Sequence, residues 1–126
     1  PPSLLRRQRQ MCIRDRCIKR GASLISDDQT MLCKENKKIF ASPPATIAGK
    51  LEVRGLGIVE FPYIKRAQLA LVLDLVDEDA MERLPDINFV DYFDLKIPNL
   101  RLYAFQCSAV EKVSLAMSLF KELKPT

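Results

Sequence analysis

Residues 68–75, Gln-Leu-Ala-Leu-Val-Leu-Asp-Leu, form a nearly continuous apolar run. Eight residues cannot span a membrane, which takes roughly 20, and such density suits a strand buried in the middle of a sheet. A sheet-based core is therefore expected, and a chain of 126 residues has room for one domain. Nowhere do roughly 18 apolar residues follow one another, and no apolar segment follows the basic start, so neither a membrane helix nor a signal peptide is indicated. With 48% hydrophobic residues, the composition is that of a soluble globular protein, expected in the cytoplasm.

The other segments are mostly short and of β type. Residues 22–26 read as a short apolar strand running into Asp27-Asp28. Residues 30–33 and 38–41 read as paired strands around the polar turn Lys34-Glu35-Asn36-Lys37. After Ser42-Pro43-Pro44 and a helical or irregular piece at 45–50 comes Leu51-Glu52-Val53-Arg54-Gly55-Leu56-Gly57-Ile58, a β-rich stretch whose glycines suggest a bend or a close backbone approach. Residues 89–92, 93–97 and 100–105 read as three further strands. Ser108 with Glu111 forms a capping-box pattern, and Val110, Val113, Met117, Phe120 and Leu123 predict one face of a C-terminal helix.

The net charge of +4 is unevenly placed. Residues 1–20 carry seven basic residues against one acidic, whereas residues 21–126 carry 13 basic against 15 acidic, so the body is slightly acidic. Residues 1–16 lack apolar periodicity and are expected to form a disordered basic leader, distinct from a domain over 17–126. The run Arg9-Gln10-Met11-Cys12-Ile13-Arg14-Asp15-Arg16 resembles translated sequencing-adapter sequence; the alternative is a basic arm for nucleic acid or anionic lipid. Cys17-Ile18-Lys19-Arg20-Gly21 reads as the last turn of a helix, with cations near its end and glycine at the cap.

The chain has no histidine, which removes Ser-His and Cys-His catalysis and leaves acid–base work to carboxylates, Lys, Tyr or Cys. Its four cysteines show no C-x-x-C spacing, so free thiols are the plain expectation.

Three ordered segments resemble HPr kinase/phosphorylase, particularly its short alphaproteobacterial form, over residues 17–126. They are Arg20-Gly21-Ala22-Ser23-Leu24-Ile25-Ser26-Asp27-Asp28, Ala41-Ser42-Pro43-Pro44-Ala45-Thr46-Ile47-Ala48-Gly49, and the stretch from Leu51 to Ile58. The resemblance implies an α/β fold: a P-loop kinase core related to phosphoenolpyruvate carboxykinase, with a mixed β-sheet and a C-terminal helix. It also implies ATP-dependent phosphorylation of a serine on the phosphocarrier HPr of a regulatory phosphotransferase system, and removal of that phosphate by phosphorolysis. ATP and Mg2+ are the implied cofactors, the phosphocarrier and a homohexamer the implied partners, and neither nucleic acid nor membrane is expected.

The family's phosphate-binding G-x-x-x-x-G-K-[ST] does not occur in this sequence. It would stand just before Cys17, so the expectation is a catalytic domain that begins too late and has little activity by itself. The alternative is a non-catalytic homologue that binds the phosphocarrier or sister subunits.

By resemblance Asp28 accepts the serine proton, and Asp27 is a partner that orients a metal-bound water or shifts its neighbour's pKa. Glu52 matches the magnesium-binding glutamate. Arg54 is placed to steady the phosphates or Glu52, and Arg83 to stabilise the transferring phosphate, while Gly55 and Gly57 admit close backbone approach. Without the resemblance, Asp27-Asp28 would be a simple turn or cap, the stretch 51–58 an ordinary bulged strand, and Arg83 a solvated side chain. The stretch Ala104-Phe105-Gln106-Cys107-Ser108 has no cation where longer family members have a basic loop, which makes phosphorolysis the less expected direction.

Overall fold

A computed structural model describes the backbone of residues 2–81 and 88–120, with side chains from residue 8 onward. The chain divides into two compact units, Gly21–Leu69 and the pair of segments Pro1–Arg20 and Ala70–Thr126.

In the Gly21–Leu69 unit, β1 (Met31–Glu35) and β2 (Lys38–Ser42) form an antiparallel hairpin, and β5 (Ala67–Gln68) joins the far side of β2. Asn36 and Lys37 close the hairpin with φ of 52° and 63°, the doubly left-handed pattern that matches the twist of paired strands. A second hairpin pairs β3 (Lys50–Val53) with β4 (Gly57–Glu60). Between the hairpins, residues 44–50 form two successive turns, with Ile47 N–H donating to the Pro44 carbonyl and Lys50 N–H to that of Ile47. The strand expected over 22–26 reduces to one parallel bridge, Leu24 to Tyr63. Leu24, Ile39 and Leu51 are the buried apolar side chains of this unit.

The other unit holds a three-stranded sheet of order β6–β8–β7, made of β6 (Val72–Leu75), β7 (Asn88–Tyr92) and β8 (Leu95–Leu102). It is mixed: β6 runs parallel to β8, and β7 antiparallel. Phe93 and Asp94, both left-handed, close the β7–β8 hairpin, so Phe93 stands in a turn and not in the strand expected over 93–97. β8 continues to Leu102 as one central strand. Its Pro98 faces Phe89 on one side and lies outside the register with β6, which starts at Asn99, so the missing N–H interrupts no pairing there.

The apolar run 68–75 is not one central strand. Its first residue belongs to β5 and its last four to β6, an edge strand of the other unit, with Leu69 N–H tied to the Ile39 carbonyl at 2.8 Å. The run contributes to two separate sheets, a division that apolar density cannot reveal.

Two helices complete this unit. α2 (Ala109–Phe120) begins after Ser108, as its capping pattern predicts. Its Glu111 carboxyl, however, is held below the usual carboxylate range by its own backbone N–H, with the Arg20 guanidinium at 2.7 Å adding to the effect. Ala109, Val110 and Ala116 are the buried residues of α2 and Val113 packs beside them, whereas Met117 is exposed; Leu123 lies outside the described residues.

Where the sequence reads as a disordered leader, the chain forms the helix α1 (Pro2–Lys19). Ile13 enters the core formed by Leu102, Ala104, Ala109 and Val110, with Cys17, Leu73, Leu75 and Val113 packed against it. On the same side of α1, the Arg16 guanidinium donates to the carbonyls of Ala104, Gln106 and Cys107 at 3.0, 3.0 and 2.7 Å. Arg9 reaches Asp77 at 3.2 Å. Arginines fill helical spacings that apolar residues would normally occupy, so the amphipathic pattern is hidden. Arg9 and Arg16 thus engage groups of the chain itself. The cap at Gly21, φ 97°, follows as predicted.

All four cysteines are free thiols, Cys33 and Cys107 exposed, Cys12 and Cys17 half-buried. Burial pushes the Cys17 thiol up against the lowering influence of Arg16, so less thiolate is present at a given pH. Iodoacetamide at pH 8 is expected to alkylate Cys33 and Cys107 several-fold faster than Cys17, which site-resolved mass spectrometry would check. A second prediction concerns Gly49, whose φ is 72° and where an added Cβ would lie 2.9 Å from the Tyr63 ring. Gly49→Ala should cost about 2–3 kcal/mol in urea unfolding, from left-handed strain plus overlap. Part of the loss should be recovered in the double variant with Tyr63→Ala.

Candidate functional site

Asp27 and Asp28 stand in a bend just past the Leu24 bridge. The Leu24 carbonyl accepts the Ile64 N–H at 2.8 Å, and the Ser26 hydroxyl donates to the Gln29 carbonyl across the bend. Asp28 is exposed and Asp27 half-buried.

Glu52 is carried by β3, whose alternation buries Leu51 and turns Glu52 outward. Among the described residues β3 pairs with β4 alone, so backbone donors on its other edge need acceptors. One is supplied from 25 positions away: the Glu52 N–H donates to Asp27 Oδ2 at 3.0 Å. The bend and the strand are thereby joined.

Beyond Glu52, Leu56 N–H donates to the Val53 carbonyl at 3.0 Å and closes a turn with Arg54 and Gly55 at its centre. Gly55 has φ 86° and Gly57 φ 92°, while a Cβ at either would meet nothing within 4 Å. Within the chain these glycines therefore serve the left-handed backbone at a hairpin turn, the bend expected from the sequence. Exposed Arg54 sits in that turn, two residues from Glu52.

The Gly21–Leu69 unit thus contains Asp27, Asp28, Glu52, Arg54, Gly55 and Gly57, and brings Asp27 into contact with Glu52. Arg83 lies outside the described residues. Among the described residues, no three His, Cys, Asp or Glu side chains converge as a metal cluster. Exposed carboxylates such as Glu52 nevertheless suit a magnesium ion, which keeps most of its waters and takes one or two carboxylates. No helix among the described residues is long and apolar enough to cross a membrane.

Sequence reasoning passed over two residues that shape the site. Gly49 lies against the Tyr63 ring, and its carbonyl accepts the Phe61 N–H at 2.8 Å at the start of β3; Tyr63 in turn bridges Leu24. Gly49 ends the segment that begins at Ala41, but its partner is 14 positions away.

No family model matches the chain. It is 41% identical to the HPr kinase/phosphorylase of Clostridium tetani over 58 residues, which cover 46% of this chain and 18% of that protein. It is 31% identical to the HPr kinase/phosphorylase of Malacoplasma penetrans over 93 residues, covering 64% and 31% respectively. The chain thus spans between about a fifth and a third of the curated relatives it matches. In fold it is similar to the Hpr(Ser) kinase/phosphatase of Coxiella burnetii, with a TM-score of 0.70 at 20% identity, covering 86% of this chain and 78% of that one. That likeness bears out the mixed α/β sheet architecture with a C-terminal helix.

The left-handed turn carries its own test. Gly55→Ala should lower unfolding free energy by about 1 kcal/mol, a backbone cost alone since the space is open. Gly55→Asn should lose less, as asparagine tolerates this region better. Urea titration of the two variants would check the order.

Proposed function

We propose that this HPr kinase-like chain carries acid–base and metal-binding residues for phosphoryl transfer between ATP and a serine of an HPr-like phosphocarrier. The observation that supports it most is the joining of the Asp27-Asp28 bend to the strand bearing Glu52, by a hydrogen bond between segments otherwise remote in sequence. Relatives named HPr kinase/phosphorylase make the same chemistry the natural one to assign.

Phosphoryl transfer depends mainly on positioning and on spreading charge, with one proton to be removed from the attacking hydroxyl. Asp28, exposed on its bend, is the proposed acceptor of the serine proton as the phosphoryl group passes to the serine oxygen and ADP departs. In phosphorolysis inorganic phosphate would attack the phosphoserine phosphorus to form pyrophosphate, and the protonated carboxyl would return the proton to the departing serine oxygen. Asp27 is its partner, and Glu52 would hold the magnesium ion. When bound, that ion supplies positive charge to the phosphate oxygens. Arg54 and Arg83 are proposed to add guanidinium charge at the transferring phosphate. Gly55 and Gly57 place no side chain at those two positions beside Glu52. Cytoplasmic location and homo-oligomerisation as a hexamer are part of the same proposal.

The sequence holds no G-x-x-x-x-G-K-[ST], so little turnover is expected from the chain alone. That absence also favours a second reading, a module that binds the phosphocarrier or sister subunits and transfers nothing. Radiolabelled ATP and an HPr-like protein distinguish the two. The full chain with a strand and loop bearing the motif placed ahead of an intact α1 should form phosphoserine, and Asp28→Asn should reduce the rate by about 100-fold or more. Micromolar phosphocarrier binding without phosphoserine in any version would favour the second reading. Undiminished turnover in Asp28→Asn would overturn Asp28 as the base.

A further inference from the structure

The carboxylate of Asp27 does not merely adjoin Asp28. Its Oδ2 accepts the backbone N–H of Glu52 at 3.0 Å, on a strand that pairs on one side only among the described residues. The segment before Asp27 is held by the Leu24–Tyr63 bridge, and the segment before Glu52 by Gly49 against the Tyr63 ring and the Gly49 carbonyl's bond to Phe61. Both segments are therefore tied to the stretch around residues 61–64 at one end, and the Asp27–Glu52 bond joins them at the other.

We propose that Asp27 is a positioning residue, which sets the spacing between Asp28 and Glu52 by gripping the main chain of β3. This rests on the phosphoryl-transfer assignment of Asp28 and Glu52 given above. It sharpens the role of Asp27, because the acceptor function needs an oxygen at that point and does not need a negative charge. An asparagine offers the same oxygen in nearly the same place, whereas an alanine offers none. Direct action on a metal or on the Asp28 carboxyl would instead require the charge, so the two substitutions separate the two roles.

The test uses the full 126-residue chain and two readouts: amide hydrogen exchange at Glu52 by NMR, and affinity for Mn2+ alone by electron spin resonance. Exchange at Phe61, whose N–H bonds the Gly49 carbonyl, reports on opening of the surrounding unit. Asp27→Ala is expected to accelerate Glu52 exchange at least ten-fold relative to Phe61 and to weaken Mn2+ binding about ten-fold. Asp27→Asn should stay within about three-fold of the native chain in both. Unchanged Glu52 exchange in Asp27→Ala, or equal acceleration at Phe61, would overturn the proposal, as would Asp27→Asn weakening Mn2+ as much as Asp27→Ala. Should Asp27→Ala not fold, native-like exchange and affinity in Asp27→Asn support the positioning role, and their loss overturns it. Glu52→Gln tests the assignment beneath: if Mn2+ affinity does not fall, the metal role of Glu52 fails while the exchange data still decide the role of Asp27.

Discussion

The ring of Tyr63 rests where any other residue at position 49 would place a Cβ, and the backbone there is left-handed. Three segments distant in sequence meet at this contact: the strand remnant at Leu24, the start of β3 at Gly49 and the chain past β4 at Phe61 to Ile64. Each brings an element of the candidate site, the first leading into Asp27-Asp28 and the second into Glu52. The demand is steric, and a glycine meets it at the cost of backbone entropy in the unfolded chain. Without the contact, the exposed carboxylates of this unit would sit on a loop and a two-stranded ribbon with little to fix them, since isolated hairpins are marginal in water.

The other unit is organised differently. Its small apolar core, drawn from α1, β8 and α2, is supplemented by a polar clasp in which one guanidinium satisfies three carbonyls of the 104–107 segment. Carbonyls past the end of a strand need donors, and a planar guanidinium offers several at once. Here a cation approaches the stretch that has none of its own, but from α1 and directed at main-chain oxygens.

Hairpins and helix ends were the legible parts of the sequence. Asn36-Lys37 between β-type runs, Ser108 ahead of α2 and Gly21 after α1 all stand where their local chemistry predicts. Local signals failed where pairing partners are distant. The run 68–75 looked like one strand because apolar density reports burial and not which sheet does the burying. α1 was missed because its buried side carries Arg9 and Arg16 among Ile13 and Cys17, and Phe93 was placed in a strand because its left-handed turn is unusual for an aromatic residue. For the candidate site, the ordered motifs pointed to Asp27, Asp28, Glu52 and Arg54, and the structure places all four in one unit. The bond that links Asp27 to Glu52 had no local signature, since a main-chain donor at position 52 would be present with any residue but proline.

That last point bears on how such a site can change over time. The bond from Asp27 is made to the backbone N–H at position 52, so it does not depend on what chemistry that position displays. Glutamate could give way to aspartate, glutamine or serine with the strand still held in place. Placement and reactivity can then be altered by separate substitutions, and a lineage could retire or retune the group displayed at position 52 while conserving the scaffold around it.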